Sequence, residues 1–259
     1  MNFTDTLKHQ ILKLPPGGAE HAPKLDDFIL YVHYLMAALF VGWILYFFYV
    51  LVRFRSGANP KADYAGTKSQ ASNVIEGAVI VAEAVLLIGF AIPLWAHAVE
   101  KFPEEKDSVV IRVIGEQFTW NTRYPGADAK FGKVDVKFLS ATNQFGIDYS
   151  DPAAKDDIVP SAKDIHVPVG TNVIMHITSK DVIHSFKIVG LRVCQDAIPG
   201  MSVPIHFKPT RPGKYLVTCA QLCGGGHATM NAFVTVEDPK AFTEWLAKNA
   251  KSGGATSFE

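Results

Sequence analysis

From Phe28 to Val52 the chain runs for 25 residues without a formal charge, rich in Leu, Phe, Tyr and Val. At ~1.5 Å per residue such a helix covers a hydrocarbon core of ~30 Å, which sets this chain apart from an ordinary water-soluble globule. A second run, Gly77 to Ala96, is also of spanning length, with one carboxylate, Glu83, inside it. Two adjacent spans joined by a short polar segment predict an antiparallel helical hairpin. Ahead of the first lie 27 polar or mixed residues, including Pro15-Pro16-Gly17-Gly18. They lack the basic leader and small-residue cleavage pattern of a secretory signal, so the hairpin is expected to stay.

The segment between the spans holds Arg53, Arg55, Lys61 and Lys68 against Asp63. Excess Lys and Arg marks the cytoplasmic side. Both chain ends, and with them the whole soluble domain, then belong on the outer side of the membrane. Carboxylates in or beside a span are costly and generally have a use. Glu76, at the cytoplasmic start of the second helix, is either a solvated residue favoured by the positive end of the helix dipole or a proton handler. Glu83, further in, must be protonated, paired with a partner helix or in contact with internal water.

Charge narrows the partner classes. The chain carries 25 basic and 25 acidic residues, split evenly on either side of residue 100, so nucleic acid gets no general attraction. Three cysteines, Cys194, Cys219 and Cys223, are too few for a disulfide-built domain.

From Ser108 onward short alternating runs replace the apolar blocks. Val173, Met175 and Ile177 form one, Val203, Ile205 and Phe207 another, Tyr215, Val217 and Cys219 a third. Turns at Tyr124-Pro125-Gly126, Pro168-Val169-Gly170, Pro199-Gly200 and Arg211-Pro212-Gly213 separate such runs, which predicts an antiparallel sandwich or barrel. Residues 141–164 are polar and predict a long loop. Asp238 followed by Pro239 makes an N-cap and first-turn pair for a short amphipathic helix over 241–250. The expected divisions are an N-terminal segment 1–27, a membrane hairpin 28–98, a β-domain 99–237 and a C-terminal helix with tail 238–259.

The chemistry concentrates in Cys219-Ala220-Gln221-Leu222-Cys223-Gly224-Gly225-Gly226-His227-Ala228-Thr229-Met230. Two thiols, an imidazole and a thioether fall within one loop, and His184 lies upstream in a strand-like run. Soft sulfur donors with imidazoles select copper over hard cations, and two His, one Cys and a weak axial Met make a mononuclear blue-copper site. Here there is one cysteine more than that recipe needs. Two thiolates on one tight loop can each bridge two metals, with His184 and His227 capping one copper each, and Met230 and the Gln221 carbonyl as weak axial ligands. Glycines 224 to 226 let the loop fold closely. A Cys219–Cys223 disulfide would leave His227 and Met230 unexplained, and tetrahedral zinc has little use for Met. His166, His176 and His206 receive no ligand role, and Cys194 is expected to be a buried or partly buried free thiol.

These residues resemble the cytochrome c oxidase subunit II family. The string Cys219-x-Gln221-x-Cys223-x-x-x-His227-x-x-Met230 is similar to its copper loop, His184-Ser185-Phe186 to its first histidine segment, and Asp196-Ala197-Ile198-Pro199-Gly200 to the segment between. The resemblance implies a membrane-anchored all-β protein, with a two-helix transmembrane hairpin, a cupredoxin-like Greek-key β-sandwich or barrel and a short C-terminal helix. It implies a dinuclear copper centre (CuA) held by His184, Cys219, Gln221, Cys223, His227 and Met230. It further implies a c-type cytochrome donor and a haem–copper subunit I that reduces oxygen while protons cross the membrane, with subunit III or a larger respiratory supercomplex around them.

Three positions depart from the family pattern. Gln221 replaces an acidic residue, which makes it a poorer ligand for the magnesium often held at the subunit I interface. Phe118 stands where the family commonly has the tryptophan that receives electrons, leaving Trp120 as the other relay candidate, and both also suit a sandwich core. Glu83 falls where many relatives have proline, whereas Glu76 matches a glutamate near the mouth of a proton channel. Among rivals, quinol oxidase subunit II lacks the copper ligands, while a copper subunit of a nitric oxide reductase and a tethered copper-binding protein stay open. No Cys-x-x-Cys-His occurs, so the donor is a separate cytochrome or a haem subunit of a larger assembly, and Asp148, Asp151, Asp156 and Asp157 are either a docking patch for a basic cytochrome or a solvated face.

Overall fold

The structure, a computed structural model, describes residues 3–58, 61, 64–65 and 69–252. Asp63 and Lys68 of the inter-span segment and residues 253–259 of the expected tail lie outside the described residues. The chain divides into two compact units. One comprises Lys24–His97 with the segment ending at Leu14, the other Pro15–Pro23 with everything from Ala98.

In the first unit, α1 (Phe3–Thr6) runs into a wide turn, Leu7–Ile11. The first apolar run becomes α2 (Ala22–Arg53), which starts six residues ahead of the uncharged stretch and so carries Lys24, Asp26 and Asp27 in its opening turns. Lys8 is ion-paired with Asp27, which fixes this charged end. The second run becomes α3 (Ala71–Leu86), a π-helical turn Leu87–Ala91 and α4 (Ile92–Val99). The widened turn lies just ahead of Pro93, whose ring would crowd the carbonyl of Gly89 in a regular helix. Both spans have a mean hydropathy of 2.3 in their most apolar windows, and none of the described residues buries those windows. That is the pattern of a helix meant for lipid or partner helices. Tyr31 meets Phe90 edge to face at 5.4 Å, a contact between the two spans.

Among the described residues the second unit has nine strands: β1 (Ser108–Glu116), β2 (Thr119–Arg123), β3 (Asp164–Pro168), β4 (Asn172–Ser179), β5 (His184–Ile188), β6 (Val193–Ala197), β7 (Val203–Phe207), β8 (Gly213–Cys219) and β9 (Asn231–Glu237). They form a four-stranded sheet, β2-β1-β4-β7, and a five-stranded sheet, β3-β9-β8-β5-β6. The purely antiparallel expectation needs correcting, because β1 pairs with β4 and β3 with β9 in parallel. Parallel neighbours require a crossover rather than a hairpin, and the long 124–163 connection begins the path that returns β4 beside β1. Val173, Met175 and Ile177 point inward from one sheet, and Phe186, Ile188, Val217, Val234 and Val236 from the other, closing a single core around Trp120. α5 (Pro239–Ser252) seals one end with Phe242, and the Asp238 carboxylate accepts the Lys240 N–H at 2.9 Å as the sequence predicts.

Residues 15–23, expected as a plain leading segment, are stitched to this unit. The Gly18 N–H donates to the Gly190 carbonyl, the Thr210 N–H donates to the Gly18 carbonyl, each at 2.8 Å, and Ala19 bridges Pro209. A Cβ on Gly18 would sit 2.3 Å from the Tyr215 hydroxyl, so only glycine allows that approach.

The 124–163 connection is more ordered than a polar loop would be, with short helical turns at Val136–Phe138 and Pro152–Ala154. Of the four acidic positions considered for docking, three hold this segment together. The carboxylate of Asp148 accepts from Ser150, that of Asp151 from Lys133 N–H and Ala153 N–H, and that of Asp156 from Asp128 N–H. Asp157 is no surface charge at all: its side chain is 1% exposed and paired with the fully buried guanidinium of Arg123. Cys194, expected in the interior, is exposed, because it sits on the outward face of the edge strand β6 between the buried Val193 and Ala197.

Candidate metal centre

Strand register brings the donors together. β5 and β8 are antiparallel with Phe186 opposite Cys219 and Ile188 opposite Val217. Continuing that count sets His184 opposite the point where the chain leaves β8 for the loop, and the Ala220 N–H donates to the Ser185 carbonyl there at 2.9 Å. The loop is closed at its base by the Cys219 N–H donating to the Met230 carbonyl at 3.1 Å, as β9 begins. Inside, the His227 N–H donates to Gly224 O and the Thr229 hydroxyl to Gly226 O, which winds the short helical turn His227–Thr229.

Cys219 and Cys223 are buried and free, their sulfurs 3.8 Å apart, well beyond the ~2.05 Å of a disulfide. Each sulfur has its own imidazole. His184 Nδ1 lies 4.0 Å from Cys219 Sγ, and His227 Nδ1 lies 3.6 Å from Cys223 Sγ. Met230 Sδ is 3.8 Å from Cys223 Sγ, and the Cys219 thiol donates to the Gln221 carbonyl at 3.1 Å. Donor atoms of His184, Cys219 and Cys223 all fall within 4.8 Å of one another, a cluster able to hold a metal ion. Burial, with the adjoining Cys219 thiol, pushes the Cys223 thiol up to about 11, so a metal must displace its proton on binding. Two thiols, two imidazoles and a thioether, all buried except the half-buried His227, make a donor set that fits copper better than zinc or a hard cation.

The glycines divide by role. Gly224 has φ +132°, and a Cβ there would meet Gln117 Nε2 at 2.8 Å. A Cβ on Gly226 would lie 2.3 Å from the Phe118 ring, whereas Gly225 has open space around it. Two of the three therefore let a flanking segment lie flat on the loop. That segment is Gln117-Phe118, between β1 and β2: Phe118 is half-buried over the loop, and Trp120 is fully buried, its ring 5.9 Å from His184 and 5.1 Å from Phe186. Gly115 makes room for both, since a Cβ on it would meet Trp120 at 2.9 Å and His184 at 3.1 Å.

Two contributors escaped the sequence reading. Asp181 Oδ1 is 2.8 Å from His184 Nε2, and the Gln117 side chain donates to the Cys223 carbonyl at 2.6 Å. A carboxylate three residues ahead of a ligand histidine was the available signal for Asp181; nothing in the sequence pointed to Gln117. Burial works to raise the Asp181 carboxyl, but hydrogen bonds from the Gln117 N–H, His184 and the Val182 N–H outweigh it and hold the group below its ordinary range. Glu76 and Glu83 lie elsewhere, on α3, both exposed, with the Ser72 hydroxyl donating to Glu76 at 3.1 Å. The Gln221 side chain is exposed.

Two helices long and apolar enough to span a bilayer, a cupredoxin-like double sheet and a buried Cys–His–Met cluster at its loop end together define a membrane-anchored, copper-type domain. A family model described as cytochrome c oxidase subunit II, periplasmic domain, matches residues 109–237. An alternative cytochrome c oxidase subunit 2 of Bradyrhizobium diazoefficiens is 30% identical over 231 residues, 89% of this chain and 82% of that one. The cytochrome c oxidase subunit 2 of Cereibacter sphaeroides is 26% identical over 256 residues, 92% of this chain and 82% of that one. A crystal structure of the periplasmic domain of cytochrome oxidase subunit II from Bradyrhizobium japonicum is 26% identical, covers 60% of this chain and all of its own, and superposes with a TM-score of 0.44. The chain belongs to the cytochrome c oxidase subunit II family.

Proposed function

We propose that this chain is the electron-input subunit of a proton-translocating cytochrome c oxidase in a bacterial inner membrane. Its β-domain, on the periplasmic side, would hold two copper ions with His184, Cys219, Gln221, Cys223, His227 and Met230 as the donors. What supports two ions is the pairing of each unbonded sulfur with a separate imidazole, His184 on one side and His227 on the other. A mononuclear site would leave one Cys–His pair without a purpose. Copper bound there supplies one-electron transfer between a c-type cytochrome and a haem–copper partner subunit. The protein's part is to keep the donors fixed, so that little rearranges when charge changes, and to keep water away from the sulfurs. Buried Cys219, Cys223, Met230 and His184 do this on the domain side, and Phe118 covers the loop from the flank.

Around that centre, Trp120 lies against His184 and is the aromatic relay candidate within the core, while Phe118 is the candidate nearer the surface. Glu76 and Glu83 face outward from α3, where a carboxylate in lipid would be costly, so a partner subunit or internal water covers them. Subunit I is that partner in this reading, with subunit III and a larger supercomplex as further neighbours. Gln221, with an exposed neutral amide, offers any interface magnesium one carbonyl oxygen and no charge.

Metal analysis with EPR on the full chain in detergent tests the core of this. The wild type should carry two coppers per chain, with hyperfine coupling to both nuclei. Cys219→Ser should abolish that signal and Cys194→Ser should leave it unchanged. One copper per folded chain, or a Cys219–Cys223 disulfide in the copper-loaded protein, would reject the assignment. Assaying the intact complex with oxygen and with nitric oxide identifies the terminal acceptor.

A further inference from the structure

The two halves of the donor cluster come from different parts of the sheet. His184 opens β5, whereas Cys219, Cys223, His227 and Met230 belong to the β8–β9 loop. Strand pairing fixes Cys219 relative to β5 through Phe186, but it stops at the base of the loop. Cys223 and His227 lie beyond that last rung. Another connection sets their distance from His184.

A continuous chain of hydrogen bonds supplies it. His184 Nε2 donates to Asp181 Oδ1 at 2.8 Å, which leaves Nδ1 as the nitrogen facing the Cys219 sulfur. The other oxygen of the same carboxylate, Oδ2, accepts the Gln117 backbone N–H at 2.7 Å. The Gln117 side chain then donates to the Cys223 backbone carbonyl at 2.6 Å. Asp181 is braced in turn by the Val182 N–H at 2.6 Å and the Ser179 hydroxyl at 3.4 Å. One residue, Gln117, thus touches both the partner of the first imidazole and the backbone of the second thiol, from a segment that contributes no ligand. Gly224 accommodates it, because a Cβ at that position would collide with the Gln117 amide.

We infer that Gln117 is a positioning residue, clasping the Cys223 side of the loop to the Asp181–His184 pair and so setting the separation of the two halves of the centre. The inference rests on the copper reading for its spectroscopic consequences but not for its mechanical one. Donor groups held from outside the ligand shell commonly tune a metal site about as strongly as losing part of its affinity, ~10–100-fold. The clasp uses a side-chain amide to hold a main-chain carbonyl. Removing the donor while keeping the volume therefore isolates its contribution.

Gln117→Met does this, with Gln117→Glu as a second variant of equal length that also cannot donate to a carbonyl while ionised. Because Gln117 is exposed, the melting temperature should change little in either. In the copper-free full chain, amide exchange at His227, Thr229 and Met230, whose N–H groups bond within the loop, should speed up roughly tenfold in both variants, while exchange in β5 and β8 stays as in the wild type. In the copper-loaded chain, copper should be lost to a chelator about tenfold faster, and the EPR hyperfine pattern should become less symmetric. Wild-type exchange in the copper-free loop of both variants would overturn the inference. Faster exchange in a chain whose wild type binds only one copper would instead leave the clasp standing and reject the dinuclear reading.

Discussion

At the scale of single residues, the ionic pair Arg123–Asp157 and the glycines of the loop make the sharpest expectations. Arg123 is fully buried, its guanidinium bonded to Asp157 and to the Gly132 carbonyl. Breaking such a pair leaves a buried charge without its partner, which costs ~3–5 kcal/mol. Asp157→Asn should lower the unfolding free energy by about that much in denaturant titration, while the adjacent Asp156→Asn should cost far less. Asp157 therefore cannot be used to probe cytochrome docking by charge removal. Gly226→Ala should strain the Phe118 contact by ~1–3 kcal/mol, whereas Gly225→Ala, facing open space, should be close to neutral. The candidate donors could be picked out in the sequence because soft donor types at short spacing have few other uses. The clasp was not, because Gln117 lies 106 positions from Cys223 and only the folded sheet makes them neighbours.

At the scale of elements, alternation announced β4, β7 and β8 because one face of each is buried, and the apolar runs announced both spans. What periodicity cannot carry is partner choice. The parallel pairing of β1 with β4 depends on how a forty-residue connection travels, and its part from residue 141 onward reads as polar loop although its carboxylates are structural. Asp148 is held below its ordinary pKa by the Ser150 hydroxyl and N–H, and Asp151 by the Lys133 and Ala153 N–H groups against a smaller opposing desolvation. A depressed carboxyl adds stability above its unfolded value and loses it as pH falls through the folded one. Exchange protection at Ser150 and Ala153 should therefore persist at neutral pH and fade below the ordinary carboxylate range, before the β-sheet core opens. On α3, Glu83→Leu should leave membrane insertion intact, since it removes a polar group from an apolar helix, yet reduce recovery of the partner subunit or proton translocation. Full activity with normal proton stoichiometry would show that Glu83 is dispensable.

At the scale of the whole molecule, the β-unit is assembled from pieces that are far apart in the chain. Residues 15–23 leave the ribosome ahead of both apolar helices, yet their bonding partners are Gly190, Lys208 and Thr210, made long after those helices. A fragment starting at residue 99 keeps every metal donor but loses this strap, exposing the ground that Gly18 and Ala19 cover around Tyr215 and Pro209. Such a fragment should still bind copper, but melt several degrees below one in which residues 15–23 are restored by fusion or added as a peptide. Identical melting with and without the strap would show the contact to be energetically idle. In the cell the same stitching imposes an order of events. The leading segment must already be across the bilayer and waiting when the last strands emerge, so maturation of the β-unit doubles as a check that both ends of the anchor were delivered to the same compartment.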